Sequence, residues 1–182
     1  MTTDICPDYL EAWESAAIIA AADMEHWQLV FTILWETGIR LGECLALKAS
    51  DILPGQLRIQ IEKRRKPVEG LVVIRPFLEQ RLRDYAARSK GSRLFPYTRA
   101  AAWLAVKRAT KKAGILHNVH CHMFRHGFGH RLANMPSLGK TPLEHLRIVQ
   151  EMMHHAQMRS TEVYIRPGKK DVDEAWRRVS GR

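Results

Sequence analysis

The segment from His26 to Glu36 limits the possible folds of this chain more than any other. It contains WQLVFTILW, a strongly apolar run that predicts a buried helix. With 182 residues the chain is long enough for one compact domain with a sizeable core, and a second domain of ordinary size would leave too little sequence for the first. We therefore predict a single domain over residues 1–182, with its core at about 8–167.

Helical periodicity dominates the remainder of the chain. Further helices are predicted at about 8–23, from Arg40 onward, and at about 77–88, 98–113, 122–134, 142–153 and 171–179. One stretch differs, because LRIQIE at 57–62 alternates apolar and polar residues, and LVVI at 71–74 follows after the basic KRRKPVEG. The predicted fold class is α+β, mainly helical with a small antiparallel β-sheet made by a hairpin at about 57–75.

The net charge indicates the kind of partner. Twenty-nine lysines and arginines against nineteen aspartates and glutamates give a formal charge of +10. The basic residues gather at 63–66, 107–112 and 159–170, and each run taken alone is typical of a solvated face. Their sum favours a polyanionic partner, nucleic acid before a membrane surface.

The cysteines and the N-terminal segment bear on the compartment. Cys6, Cys44 and Cys121 are odd in number and lie in segments predicted to be structured, which disfavours a disulfide framework and favours a reducing compartment. Residues 1–7 lack the basic and apolar regions of a signal peptide, and no stretch is long and apolar enough to span a bilayer. We expect a soluble, cytoplasmic protein.

The first stretch whose side chains could take part in chemistry is TGIRLGECLAL. Arg40 begins a helix directly after a glycine turn, and Glu43 lies one turn further on. A guanidinium at a helix N-terminus can hold phosphate oxygens in a bidentate fork, where the helix end adds positive potential. Taken alone, an arginine followed three residues later by a glutamate is typical of a surface ion pair.

The second stretch is HMFRHGFGH. His122, Arg125 and His126 fall at i, i+3 and i+4 and share one helix face, which we expect to be polar. Packing residues fall on another face, namely Phe124, Phe128 and Leu132.

Zinc is the competing interpretation of that second stretch. Cys121, His122, His126 and His130 include histidine pairs at helical spacing. No glutamate lies between the histidines as in HExxH, and no CxxC supplies paired thiolates. The sequence therefore favours a site without a metal or other cofactor.

A third stretch, MMHHAQMRSTEVYIRP, places a tyrosine among cations. His154 and His155 precede it, and Tyr164 is flanked by Arg159 and Arg166. Taken alone, a tyrosine in such a segment is typical of an amphipathic packing residue.

Together these stretches resemble a known family. TGIRLGE, the HxxR at 122–125 and HHAQMRSTEVY are similar to the three signature boxes of the tyrosine recombinase or phage integrase family, and they occur in the same order. RLFP at 93–96 and KKAGI at 111–115 resemble supporting segments of that family. The resemblance covers residues from about 9 to 166.

The resemblance implies a reaction and a role for each residue that matches a box. Tyr164 would attack the scissile phosphate and form a 3′-phosphotyrosyl intermediate, which conserves the energy of the bond. Arg40 and Arg125 would clamp the non-bridging oxygens, and we expect both to be open enough to the cleft that their replacement spares the fold. His122 and His155 would donate to the phosphate or manage the proton of the tyrosine.

The resemblance also implies a lysine on the hairpin that protonates the 5′-oxygen leaving group. The KRRKPV stretch resembles the family's turn at this place and indicates Lys63 as that lysine, with Lys66 as an alternative. Glu43 matches the acidic residue of the first box, and we expect it to brace Arg40 and to take no direct part in the chemistry.

Three departures from the family pattern affect these expectations. Where the family has LGH this chain has Met153-His154-His155, so His154 is an alternative to His155. The stretch between Arg125 and His155 is longer than usual, with the excess in the predicted loop at 134–141. The family's usual N-terminal DNA-clamping domain is expected to be absent, and DNA binding is then expected to be weak, salt-sensitive and poorly specific.

The resemblance implies that the partner is double-stranded DNA. It also implies self-association into a dimer or tetramer on DNA, accessory DNA-bending proteins and a place at the nucleoid.

Three alternatives to a recombinase stay open at this point. They are a type IB topoisomerase with the same tyrosine chemistry, a non-catalytic DNA-binding protein on the same fold, and a zinc-dependent nucleic-acid binder. Assembly separates the first from a recombinase, and the tail at 171–182 resembles the short helix that docks on a neighbouring protomer in recombinases. Taken alone, such a tail is typical of a segment that packs on its own domain.

Overall fold

The computed structural model describes residues 9–61, 68–135 and 141–153. By its contacts the chain divides into two compact units, residues 1–131 and 132–182, so the prediction of a single domain stays a prediction. The elements in chain order are α1 Ala12–Ala21, α2 Glu25–Thr37, α3 Leu41–Leu45, a 3-10 turn Ala49–Asp51, β1 Ile52–Leu53, β2 Gln56–Ile61, β3 Val68–Val73, α4 Pro76–Arg88, α5 Arg99–Lys112, α6 Cys121–Ala133 and α7 Pro142–Met152.

Helix α2 lies at the centre of the first unit. Nearly every side chain between Trp27 and Trp35 is buried, which confirms the prediction from the apolar run. The ring of Phe31 stacks on that of Phe124 in α6, with 5.3 Å between their centroids. The helix ends at Gly38, which has a left-handed backbone (φ 65°) and donates its N–H to the carbonyl of Leu34. Such an ending reverses the chain sharply and leads directly into α3.

The three strands form one antiparallel sheet in the order β1-β2-β3. Leu57 pairs with Val72, and Ile59 pairs with Gly70. Because side chains alternate along a strand, Leu57, Ile59 and Val72 fall on the buried face. The predicted hairpin and the α+β fold class are confirmed, while β1 was not predicted because two residues are too few to show alternation. The basic stretch at 62–67 lies outside the described residues.

The other predicted helices of the first unit are confirmed, most of them within one or two residues of their expected bounds. Helix α4 has a proline at its first position, and Thr98 caps α5 by accepting the N–H of Ala101. These are the standard start signals of helices, which explains why their N-termini were predictable.

In the second unit the structure describes the end of α6 and helix α7. Thr141 and Glu144 form a capping box at the start of α7, and His145 Nε2 lies 3.0 Å from the carbonyl oxygen of Leu132. Val149 and Met153 are buried. The predicted tail helix at 171–179 lies outside the described residues. Among the helices that are described, none has the length and apolarity to cross a membrane.

A Gly38→Ala variant should be much less stable than a Gly55→Ala variant, although both glycines have left-handed backbones. The backbone strain should cost each variant about 1–2 kcal/mol. A Cβ at Gly38 would also lie 2.3 Å from the ring of Phe128, whereas one at Gly55 would meet nothing within 4 Å. We expect the overlap to remove roughly 1–3 kcal/mol more from the free energy of unfolding. Urea denaturation of the two variants checks this. Equal losses in the free energy of unfolding would show that the Phe128 ring moves aside at little cost.

Candidate active site

Arg40 is the residue from which α3 starts. It is the N-cap of that helix, whereas the sequence predicted that the helix begins at Arg40 itself. Glu43 accepts the Arg40 backbone N–H through Oε2 at 2.7 Å and the guanidinium through Oε1 at 2.8 Å. Glu43 is only 1% exposed, while the side chain of Arg40 keeps 16% exposure. The pair is therefore anchored in the protein and differs from a surface ion pair, since its carboxylate is buried.

Arg125 lies on α6 and is 2% exposed. The expectation that Arg125 is open to the cleft is wrong, and the prediction that its replacement spares the fold therefore loses its basis. Its guanidinium donates a hydrogen bond to the carbonyl of Gly38, at the C-terminal end of α2. A buried cation requires such acceptors, and the end of a helix supplies carbonyls together with negative potential.

The turn at 38–40 relates the two arginines to each other. Gly38 accepts a hydrogen bond from Arg125, and two residues later Arg40 begins α3. Arg125 thus bonds the turn from which Arg40 starts α3, while the Arg40 guanidinium itself is held by Glu43. Two guanidiniums can form a cationic clamp for the oxygens of one phosphate if both face it.

The histidines of α6 flank Arg125 in different environments. His122 is exposed and His126 is half-buried, and their rings meet edge to face with 4.5 Å between centroids. Cys121 is buried, and this burial raises the pKa of its thiol to about 12, which opposes the thiolate form that zinc requires. Within residues 9–61, 68–135 and 141–153, no three His, Cys, Asp or Glu side chains are grouped to hold a metal ion.

Several predicted site residues lie outside the described parts of the chain. They are Lys63, Lys66, His154, His155 and Tyr164. The structure thus pairs Arg40 with Glu43 and bonds Arg125 to Gly38, two residues before Arg40. The convergence of the two guanidiniums and the remaining groups on one phosphate stays a prediction.

Sequence reasoning missed Arg131, which lies on α6 beyond Arg125. Its guanidinium donates to the carbonyl of Trp35 in the last turn of α2 and lies 3.9 Å above the Trp35 ring. A signal was present in Gly127, because a glycine inside a helix is unfavourable unless another group approaches closely. A Cβ there would lie 2.4 Å from the Trp35 ring and 2.7 Å from the carbonyl oxygen of Leu10.

Comparison with known proteins decides the family. The sequence profile of the phage integrase family matches residues 8–171. The chain belongs to the phage integrase family. This confirms the resemblance that the three sequence boxes indicated.

One curated member of the family is tyrosine recombinase XerD of Corynebacterium glutamicum. It is 26% identical over 195 aligned positions, which cover 94% of this chain and 60% of that protein. The chain thus spans less than two thirds of the length of this relative.

Two solved structures of the family show the same fold. XerH site-specific recombinase bound to its difH substrate has a TM-score of 0.72 at 24% identity, over 97% of this chain and 55% of that one. The catalytic domain of bacteriophage HP1 integrase has a TM-score of 0.66 at 20% identity, over 93% of each chain. The mainly helical fold with its small sheet is therefore that of a phage integrase catalytic domain.

Proposed function

We propose that this chain cuts and rejoins double-stranded DNA as the catalytic part of a tyrosine-type site-specific recombinase. The observation that carries the proposal is the turn at 38–40, which holds Arg125 at Gly38 and Arg40 at the start of α3. Two fixed guanidiniums suit a phosphodiester whose negative charge redistributes as the bond is cut.

In the proposed reaction the phenolic oxygen of Tyr164 attacks phosphorus. A bond forms between that oxygen and phosphorus while the bond to the 5′-oxygen of the next nucleotide breaks. Lys63, or alternatively Lys66, gives a proton to the departing 5′-oxygen, because an alkoxide is a poor leaving group. Attack of a 5′-hydroxyl on the phosphotyrosine reverses these steps, so rejoining uses no external energy source.

The remaining polar groups would surround the same phosphate. His122 is exposed one helical turn before Arg125 and can donate to a phosphate oxygen. His155, or alternatively His154, would supply a further donor or take the proton of Tyr164. Glu43 would act through Arg40, since its carboxylate fixes both the backbone and the guanidinium of that residue.

Double-stranded DNA is the proposed substrate, and the net charge of +10 supports it. The XerH neighbour was solved on its difH substrate. The relative and both solved neighbours are recombinases or integrases by name, which favours recombination over the topoisomerase alternative. The proposal also includes self-association of the chain into a dimer or tetramer on DNA, accessory proteins that bend the DNA, and a location at the nucleoid.

The proposal is tested by trapping the intermediate. The purified chain is incubated at low salt with a pool of nicked duplexes of randomised sequence, in which the cut strand loses a short fragment and cannot be rejoined. We expect a protein–DNA adduct that survives denaturation, and mass spectrometry of its peptides should place the DNA on the segment containing Tyr164. Sequencing of the trapped DNA would reveal the preferred site. Retention of the duplexes without any adduct would instead support the non-catalytic alternative.

A further inference from the structure

Helix α6 is fastened to the C-terminal end of α2 through two arginines. Arg125 donates to the carbonyl of Gly38, and Arg131 donates to the carbonyl of Trp35. The last carbonyls of a helix have no partners within it and carry partial negative charge, so guanidiniums are favourable there. Between the two hydrogen bonds, Phe128 lies against Gly38 and Gly127 lies against the ring of Trp35.

Arg131 holds its position at a cost in free energy. Burial lowers the pKa of its guanidinium, and within the described parts of the chain its buried Nε has no hydrogen-bond partner. A half-buried cation with an unused donor is unfavourable unless other contacts compensate. The face of the Trp35 indole at 3.9 Å and the Trp35 carbonyl provide that compensation. A lysine has neither the planar stack nor the forked donors.

We propose that Arg131 is a positioning residue, which fixes the orientation of Arg125 by locking α6 onto the last turn of α2. The inference rests on the proposed function, in which Arg125 contacts the scissile phosphate. Both arginines belong to one helix, so a shift of α6 that frees Arg131 from Trp35 also moves Arg125 relative to Gly38. Because the guanidinium of Arg125 is buried and bonded to the carbonyl of Gly38, such a shift would change its angle to the phosphate.

The first test compares the rates of covalent adduct formation in a single turnover, at saturating protein, for the full chain. Arg131→Met should slow adduct formation on the order of 10- to 100-fold, since small misplacements of a catalytic group have effects of that size. The Kd for DNA should change little, and Arg131→Lys should be intermediate. An unchanged rate in Arg131→Met would overturn the inference.

Arg88 offers a matched control. Like Arg131, it donates to a backbone carbonyl, in this case from Nε to the carbonyl of Asp84 at 3.0 Å, and its guanidinium lies over the Tyr85 ring at 6.0 Å. It is mostly exposed on α4, where it pairs with Glu25. Arg88→Met removes the same charge and the same kind of stack, and we expect its rate of adduct formation to equal that of the wild type. A loss as large as that of Arg131→Met would assign the effect to charge alone and overturn the inference.

A double-mutant cycle separates a positioning role from a general structural role. If Arg131 acts through Arg125, then Arg131→Met should slow adduct formation much less in an Arg125→Lys background than in the wild type. Losses that multiply fully would show that Arg131 acts independently of Arg125, and would overturn the inference. If Arg131→Met does not fold, the same cycle is run with Arg131→Lys, which keeps the charge.

A measurement without DNA distinguishes failure of this inference from failure of the proposed function. The guanidinium resonances of Arg125 are followed by NMR, where a hydrogen-bonded and buried group should rotate slowly about its Cζ–Nε bond. Arg131→Met should speed this rotation, while Arg88→Met should not. If the wild type forms no adduct and the rotation still responds, the proposed function fails and the structural coupling stands. If the rotation does not respond, the inference fails even in a chain that cleaves DNA.

Discussion

A Tyr164→Phe variant is expected to bind the same DNA as the wild type and to form no covalent adduct with it. Phenylalanine keeps the ring and removes only the oxygen that would attack phosphorus. Loss of a covalent nucleophile lowers turnover on the order of 10⁴-fold or more, which places the variant below detection on a denaturing gel. DNA binding depends on the basic residues and not on the phenol, so the Kd should be unchanged.

The other tyrosines are poorly suited to replace Tyr164. Tyr9 stacks on His130 at 3.9 Å, and burial together with nearby glutamates raises the pKa of its phenol. Burial also raises the pKa of Tyr85, and the hydroxyl of Tyr97 lies 3.2 Å from His26 Nδ1. A raised pKa opposes the phenolate that a nucleophile must approach. Tyr85→Phe therefore serves as a control that should form the adduct normally. An adduct of wild-type yield in Tyr164→Phe would show that another residue is the nucleophile.

The main helices and the hairpin were predictable because their signals are local. The run at 27–35 is apolar except for Gln28 and Thr32, so its burial as α2 follows largely from its composition. Thr98 and Pro76 are standard start signals for helices, and the alternation in β2 fixed the buried face of the hairpin. Strand β1 was missed because its two residues owe their conformation to pairing with β2.

The burial of Arg125 was not predictable from helix periodicity. A cation three residues after a histidine normally marks a polar face, and the acceptor that makes burial possible is a carbonyl on another helix. Backbone carbonyls leave no mark in the sequence, so neither the Gly38 contact of Arg125 nor the Trp35 contact of Arg131 could be inferred. What the sequence did contain was Gly127, whose missing side chain makes room for the Trp35 ring.

An Arg125→Ala variant is expected to lose both activity and stability. Removal of one guanidinium of the proposed clamp should slow adduct formation on the order of 10²-fold or more. Truncation also leaves the buried carbonyl of Gly38 without this donor and opens a cavity beneath α6. We expect the free energy of unfolding to fall by about 2–4 kcal/mol from these two effects. Urea denaturation and single-turnover adduct formation measure the two losses separately.

Arg125→Lys separates the two roles of this side chain. An ammonium group can still donate to the Gly38 carbonyl, so this variant should recover most of the stability that alanine loses. It lacks the planar fork with which a guanidinium can hold the carbonyl and the phosphate at the same time, so its rate should stay at least roughly tenfold below that of the wild type. An alanine variant as stable as the wild type would mean that the buried contact contributes nothing to folding. A lysine variant of wild-type rate would mean that one charge suffices and that the forked clamp on phosphate is wrong.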